Sequence, residues 1–328
     1  LVNQLLVIAD QRAYVYYVIN IFTILANLFI SVTLIKIFHA NIHIVKLTSS
    51  LVYLLRPIML YAYVNKRYVV DKKIKIVGEP ISQKWNGIAQ HISSVVMTNT
   101  DSIILTFFST LSSVSIYSVY YMIVNSIYNL IYSLTNGFQS ALGNLIAKNK
   151  LKEAINLFNR FDWIINMITV ILFTCTGILI VPFVALYTQG IKDTNYIQPL
   201  FSILITLSQS MFCIRTTYYC AIKAAGHYKE TQLSAIIETI LNIGISVLLV
   251  SSLGLAGVAI GTLVGIIYRT MYCVIYLSRF ILKRPLRKFF KQSIVDILIV
   301  LCSLLVINIF KINVNSYFNW ILYAIEVF

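Results

Sequence analysis

The sequence predicts an all-α protein, a polytopic bundle of transmembrane helices. Ten strongly hydrophobic spans follow one another along the 328 residues, of which 59% are hydrophobic and 11% charged. The mean hydropathy is +0.83, and basic residues are concentrated in alternate connections between the spans. Because lipid cannot satisfy backbone amides, consecutive spans of this kind cross a membrane as helices.

Most of the spans contain the roughly 17 to 25 apolar residues that cross a hydrocarbon core about 30 Å thick. In chain order they cover residues 15–37, 46–64, 85–108, 114–138, 163–187, 199–221, 231–251, 256–277, 293–310 and 317–328. The last span is the shortest and stops within its pattern, and the chain begins with Leu1 rather than Met. We therefore expect a fragment that lacks preceding helices.

The distribution of basic residues predicts the topology. The net charge is +15, and most Lys and Arg residues lie before the first span or after the second, fourth, sixth and eighth spans. The positive-inside rule places these connections in the cytoplasm. This alternation explains the net charge, so no nucleic-acid partner is expected.

Several function classes lack their sequence signals. The cysteines lie within the spans without a CxxC pair and are interpreted as apolar fillers. His39 and His43 are four residues apart but have no acidic or thiol companion, so neither a metal nor a cofactor is predicted. There is no GxxxxGK[ST] loop for ATP. No loop carries a nucleophile, base and orienting group together, so no enzyme is predicted.

Five ionised side chains within the spans indicate a functional interior. They are Arg56, Asp101, Arg215, Glu238 and Arg269. A charge near the bilayer centre costs roughly 2.5 to 3.5 kcal/mol on insertion scales, so such residues face protein or a wet cavity. Pairing for packing alone stays an alternative, and Glu238 is close enough to the cytoplasmic end to snorkel. Pro57 loosens the helix beside Arg56, which favours either a gate or simple packing.

Two neighbouring spans carry polar stripes at helical spacing. The stripes consist of Asn86, Gln90, Ser94, Met97 and Asp101, and of Tyr117, Tyr121, Asn125, Tyr128, Tyr132, Asn136 and Gln139. They favour either a sugar-binding cavity or contacts between helices. Gly257, Gly261 and Gly265, spaced four apart, predict a close helix–helix approach. The candidate substrate-binding residues are Arg56, Asp101, Arg215, Arg269, Glu238, Asn86, Gln90, Tyr117, Tyr121, Asn125 and Tyr128.

Short strings in a fixed order resemble bacterial polysaccharide (O-antigen) repeat-unit flippases, which are lipid-linked oligosaccharide exporters of the multidrug and oligosaccharidyl-lipid exporter superfamily. The strings are Ala9-Asp10-Gln11, Ile44-Val45-Lys46-Leu47, Leu54-Leu55-Arg56-Pro57, Lys84-Trp85-Asn86-Gly87, Asn99-Thr100-Asp101 and Ala224-Ala225-Gly226-His227. The resemblance covers nearly the whole chain. Where relatives often carry an Arg-x-Pro turn, this chain has Arg215-Thr216-Thr217.

The resemblance implies a MATE-like two-lobe exporter fold without its first helices. Residues 1–64 would end the N-lobe, 65–84 form a cytoplasmic linker, 85–279 the C-lobe and 280–328 a C-terminal helix pair. The implied task is to move undecaprenyl-diphosphate-linked oligosaccharide across the bacterial cytoplasmic membrane. Its implied partners are that lipid-linked oligosaccharide, membrane lipids, the polysaccharide polymerase and the chain-length machinery. A cation-coupled multidrug antiporter and a non-transport scaffold stay as alternatives.

Overall fold

The computed structural model describes residues 2–10, 12–68, 84–191, 193–307 and 316–328. These residues contain twelve α-helices and no strand, which confirms the predicted all-α class. The helices are α1 (Val2–Ala9), α2 (Ala13–Lys36), α3 (Ile42–Tyr53), α4 (Leu55–Arg67), α5 (Lys84–Phe108), α6 (Leu111–Ala147), α7 (Leu151–Tyr187), α8 (Pro199–Ala224), α9 (Tyr228–Leu253), α10 (Leu255–Tyr276), α11 (Arg287–Ile307) and α12 (Tyr317–Val327). A π-helical turn, Leu277–Ile281, follows α10.

Each of the ten predicted spans overlaps one helix or one helix pair, although residues 308–310 of the ninth span lie outside the described residues. Within the described residues, seven helical stretches are long and apolar enough to cross a membrane. They are Tyr14–Lys36, Ile42–Arg67, Leu111–Ala147, Leu151–Tyr187, Pro199–Ala224, Tyr228–Leu253 and Leu255–Ile281. Helix α5 falls outside this set because polar residues occupy much of its length. The last two predicted spans, α11 and α12, also fall outside it.

Helices α6 and α7 are longer than the spans predicted within them. Both have 37 residues and extend beyond the apolar segment at the end that the charge pattern assigns to the cytoplasm. The extensions pack together through Ala154 and Phe158, which are fully buried. The chain reverses between the helices at Asn149, whose φ of 57° is tolerated better by Asn than by most residues.

The second predicted span forms two helices rather than one. The helical pattern is interrupted at Leu54, and Pro57 falls in the first turn of α4, where its missing amide is tolerated. Arg56 Nε donates to Thr23 Oγ1 of α2 at 2.9 Å. Its guanidinium lies 4.4 Å from the ring centroid of Tyr53. The structure thus shows the discontinuity beside Arg56, and a gating role for it stays a prediction.

The chain divides into two compact units, Leu1–Pro80 and Ile81–Phe328. In the first unit, α2 packs against α1, α3 and α4. Tyr68 closes this unit near its N-terminal loop by donating to Asp10 Oδ2 at 2.5 Å, and this hydrogen bond raises the pKa of Tyr68. Of the predicted linker 65–84, residues 69–83 lie outside the described residues.

In the second unit, α9 packs against α5 and α10, while α8 packs against α6, α7 and α10. The predicted close approach at the glycines of α10 is confirmed. A Cβ on Gly257 would lie 2.5 Å from the carbonyl oxygen of Leu249, and one on Gly261 would lie 2.8 Å from the backbone nitrogen of Ser246. The absence of side chains therefore allows α10 to lie directly on the backbone of α9.

The segment before α11 is fixed to α7 and α8 by a buried arginine. Arg284 Nη1 and Nη2 each lie 3.1 Å from Asp162 Oδ2, and Nη2 lies 3.2 Å from the hydroxyl of Tyr218. Helix α11 also contacts α7, where Asn166 Nδ2 donates to Asp296 Oδ2 at 2.7 Å. Asp296 is a carboxylate within the ninth predicted span that the sequence analysis did not include.

Candidate functional site

A cavity of about 120 Å³ lies among α5, α6, α8, α9 and α10, entirely within the second unit. Eight of the predicted substrate-binding residues line it: Asp101, Tyr117, Tyr121, Asn125, Tyr128, Arg215, Glu238 and Arg269. The stripes on α5 and α6 thus supply two of its walls, with Asp101 on α5, while α8, α9 and α10 supply Arg215, Glu238 and Arg269. The structure brings together residues that are up to 168 positions apart in sequence.

Glu238 joins the two arginines of the cavity. Its Oε1 accepts a hydrogen bond from Arg215 Nη1, and its Oε2 accepts one from Arg269 Nη1 at 2.7 Å. Only 1% of Glu238 and 5% of each arginine is exposed. The alternative that Glu238 snorkels to the cytoplasmic interface is wrong, because the glycines of α10 hold Arg269 against α9 at this level. We name these three residues the Arg–Glu–Arg triad.

The triad contains two positive charges and one negative charge, so one positive charge is in excess. One of its guanidinium groups also has a donor that makes no hydrogen bond within the described part of the chain. Arg269 Nε is buried without a hydrogen-bond partner among the described residues. The guanidinium of Arg215 lies 4.4 Å from the ring centroid of Phe212, and that of Arg269 lies 5.1 Å from the ring centroid of Tyr219. These contacts place both guanidinium groups within cation–π distance of an aromatic ring.

Asp101 is buried in the same cavity with neutral partners. Thr262 Oγ1 lies 2.9 Å from both of its carboxylate oxygens, Tyr117 donates to Oδ2 at 3.2 Å, and Asn242 Nδ2 donates to Oδ1 at 3.4 Å. Among the described residues no basic side chain forms an ion pair with Asp101. A smaller cavity of about 30 Å³ adjoins it. The carboxylate therefore contributes a negative charge that hydroxyls and an amide hold in place.

Aromatic rings of α6 form one wall of the cavity. Tyr117 and Tyr121 stack with ring centroids 5.4 Å apart, and Tyr128 packs edge-on against Phe212 at 5.0 Å. Asn125, half-buried, lies between them on the same face. This wall combines apolar ring faces with hydroxyl and amide groups. The two interpretations of the stripe are therefore compatible, since Tyr117 both packs between helices and lines the cavity.

Three other candidate residues lie elsewhere. Gln90 Nε2 donates to the carbonyl of Tyr228 at 2.5 Å and to Thr231 Oγ1 at 2.9 Å, which ties α5 to α9. Asn86 is half-buried and does not line this cavity. Arg56 belongs to the first unit. A role of these residues in substrate binding stays a prediction.

The sequence analysis missed Gln209, Thr262 and Asn242. Thr262 is seven residues before Arg269, so the two side chains share one face of α10. Asn242 likewise follows Glu238 by four residues on α9. A search for polar residues at helical spacing from each buried charge would have found both. Gln209 lies six residues before Arg215, and its place in the cavity depends on how α8 packs.

The fold and the cavity define a class, a polytopic helical membrane protein with charged residues in an internal cavity. The solved structure of the lipid II flippase MurJ in its inward closed conformation has this fold. The TM-score is 0.58 at 18% sequence identity, and the match covers 96% of this chain and 65% of that protein. This chain thus spans less than two thirds of the neighbour's length. No protein-family model matches the chain, and no curated protein matches it.

Proposed function

We propose that the protein is a membrane flippase that moves undecaprenyl-diphosphate-linked oligosaccharide repeat units across the bacterial cytoplasmic membrane. The product would serve surface polysaccharide assembly, such as O-antigen or capsule. One observation carries the proposal: two buried arginines line the same internal cavity as a set of tyrosine and amide side chains. The fold shared with a lipid II flippase supports it.

The chemistry of the cavity matches the two parts of such a substrate. A diphosphate carries negative charge into a region of low dielectric constant, where arginine forks bind phosphate oxygens in two-point contacts. Sugars have apolar faces that stack on tyrosine rings and hydroxyls that bond to amides such as Asn125. The charged and aromatic walls would therefore hold the diphosphate and the glycan at the same time.

The size of the cavity indicates that transport requires a change of shape. Its volume of about 120 Å³ is smaller than the roughly 300 to 1,000 Å³ of ordinary small-molecule sites. An oligosaccharide would enter only after the surrounding helices separate. Rocking of helix groups about a fixed site near the membrane centre is the usual way in which transporters open and close such cavities.

The proposed substrate also implies the partners of the protein. These would be the lipid-linked oligosaccharide, membrane lipids, the polysaccharide polymerase and the chain-length machinery. The two arginines favour an anionic substrate over the cationic drugs of an antiporter. Asp101 is the observation that favours the antiporter, because a buried carboxylate to which the described residues offer no basic partner is suited to bind a proton or a cation.

We expect Asp101→Asn to lower glycan export about tenfold and to make the remaining export independent of ion gradients. Asn is close to Asp in shape, so folding should be preserved. The measurement is export with and without an ionophore that dissipates the gradients. Asp296→Asn, at a carboxylate that contacts Asn166 outside the cavity, is the control and should keep gradient dependence. Unchanged, gradient-sensitive export in Asp101→Asn would rule out a coupling role.

Complementation tests the proposed function. The gene is expressed in a bacterium that lacks its own repeat-unit flippase and carries the matching glycan synthesis genes. We expect surface polysaccharide to be restored. If it is not restored despite normal membrane levels, and drug resistance or cation efflux is gained instead, the protein is an antiporter. If the cells show neither surface polysaccharide nor efflux, a non-transport scaffold is favoured.

A further inference from the structure

Glu238 binds both of the arginines to which the proposed function assigns the substrate diphosphate. Its two oxygens bind the two arginines separately, one on α8 and one on α10. A phosphate group between the same side chains would use the same Nη1 donors. The carboxylate lines the cavity rather than being enclosed away from it. Glu238 thus makes the contacts with the two arginines that an anionic ligand would make.

Backbone packing keeps this carboxylate in place. A Cβ on Gly265 would lie 3.0 Å from the carbonyl oxygen of Glu238 and 3.5 Å from its Cγ. The glycine thus lets α10 approach so closely that the short Glu side chain contacts both arginines. A longer distance between α9 and α10 would leave at least one arginine out of reach.

The contacts of Glu238 do not saturate the two arginines of the triad. Two guanidinium groups share one carboxylate, and Arg269 Nε has no hydrogen-bond partner among the described residues although it is buried. A diphosphate offers more oxygen acceptors and more negative charge than one carboxylate. It would therefore gain contacts at the arginines that Glu238 does not provide.

We propose that Glu238 is a resident counter-ion, which holds the two arginines between transport cycles and competes with the diphosphate of the substrate. The inference rests on the proposed function. When the diphosphate arrives, the guanidinium hydrogen bonds pass from Glu238 to phosphate oxygens. When the diphosphate leaves, they return to Glu238. This exchange stabilises the empty cavity and limits how tightly the substrate is held.

Binding of farnesyl diphosphate to the purified protein tests the proposal. Glu238→Gln removes the competing charge and leaves two arginines without a counter-ion, so we expect its Kd to be about tenfold lower than that of the wild type. Glycan export by the same variant should fall about tenfold, because release becomes slow. If Glu238 had only a structural role, its substitution would weaken both farnesyl diphosphate binding and glycan export. If folded Glu238→Gln binds farnesyl diphosphate with a Kd equal to or higher than that of the wild type, the proposal is overturned.

Two further variants complete the experiment. Glu230→Gln, at an exposed carboxylate in the first turn of the same helix, should leave Kd and export unchanged. Glu238→Asp keeps the charge but shortens the side chain, and should lower Kd about threefold. If Glu238→Gln does not fold, Glu238→Asp provides the test instead. Unchanged or weaker binding of farnesyl diphosphate by Glu238→Asp would contradict competition between Glu238 and the diphosphate.

The same titration separates this inference from the proposed function. If Arg215→Gln loses binding while the Glu238 variants bind no tighter than wild type, only the counter-ion role is wrong. If Arg215→Gln and Arg269→Gln bind farnesyl diphosphate as well as wild type does, the cationic cavity is not the diphosphate site. In that case the proposed function loses its support as well.

Discussion

Replacing Arg215 or Arg269 by Gln should reduce glycan export by on the order of 100-fold. Each substitution removes one of the two forks that face the cavity. The protein should still fold and insert, because Glu238 keeps the other arginine as a partner. Export is measured as surface polysaccharide in the complemented strain, and membrane levels are measured in the same cells.

Two variants control this experiment. Arg279→Gln, at an exposed residue of the π-helical turn, changes the net charge equally and should leave export intact. Arg215→Lys keeps the charge but not the fork, so we expect export between those of the wild type and Arg215→Gln. Full export in both Gln variants would remove the argument for diphosphate binding.

Gly261→Ala should destabilise the protein by about 3 kcal/mol, at the upper end of the usual effect of overpacking. The added Cβ would lie 2.8 Å from the backbone nitrogen of Ser246 and 2.9 Å from the carbonyl oxygen of Asn242. Backbone atoms of α9 cannot rotate away as a side chain can, so α10 must move. The movement separates Arg269 from Glu238, and we therefore expect export to be lost together with stability.

Gly244→Ala is the matched control for this substitution. Gly244 is on α9 itself, and a Cβ there has no neighbour within 4 Å. Ala favours helix over Gly by roughly 1 kcal/mol in water-exposed helices, so this variant should be as stable as the wild type or more so. The measurement is the thermal unfolding midpoint in detergent. Equal midpoints for both variants would contradict the close packing of α9 and α10.

Hydropathy predicted the helices well within the membrane and poorly outside it. A run of about 20 apolar residues has few alternatives to a helix in lipid, which explains the agreement for the seven stretches that are long and apolar enough to cross a membrane. The extensions of α6 and α7 carry no such signal, because their helical state depends on tertiary burial, in which Ala154 and Phe158 of α7 share a buried cluster with Leu142 of α6. The interruption at Leu54 was only indicated by the nearby Pro57.

The sequence predicted which residues of the site share a helix face, but it did not predict which side chains of different helices are in contact. Helical spacing correctly grouped Tyr117, Tyr121 and Asn125 on one face, because that grouping depends only on the pitch of the helix. It could not show which helices are neighbours. Glu238 was judged by its distance from the cytoplasmic end, whereas its position is determined by the contact between α9 and α10. Gln90 shares the face of Asp101 but bonds to Tyr228 and Thr231 instead.

The most direct test of the central claim is translocation by the purified protein in liposomes. A fluorescent undecaprenyl-diphosphate-linked oligosaccharide is placed in both leaflets, and its outer-leaflet fraction is followed by a membrane-impermeant quencher. We predict that the wild type makes the inner pool accessible much faster than protein-free vesicles do, and that Arg215→Gln does not. Equal rates with and without the wild-type protein, or equal rates for the wild type and Arg215→Gln, would contradict export through the arginine-lined cavity.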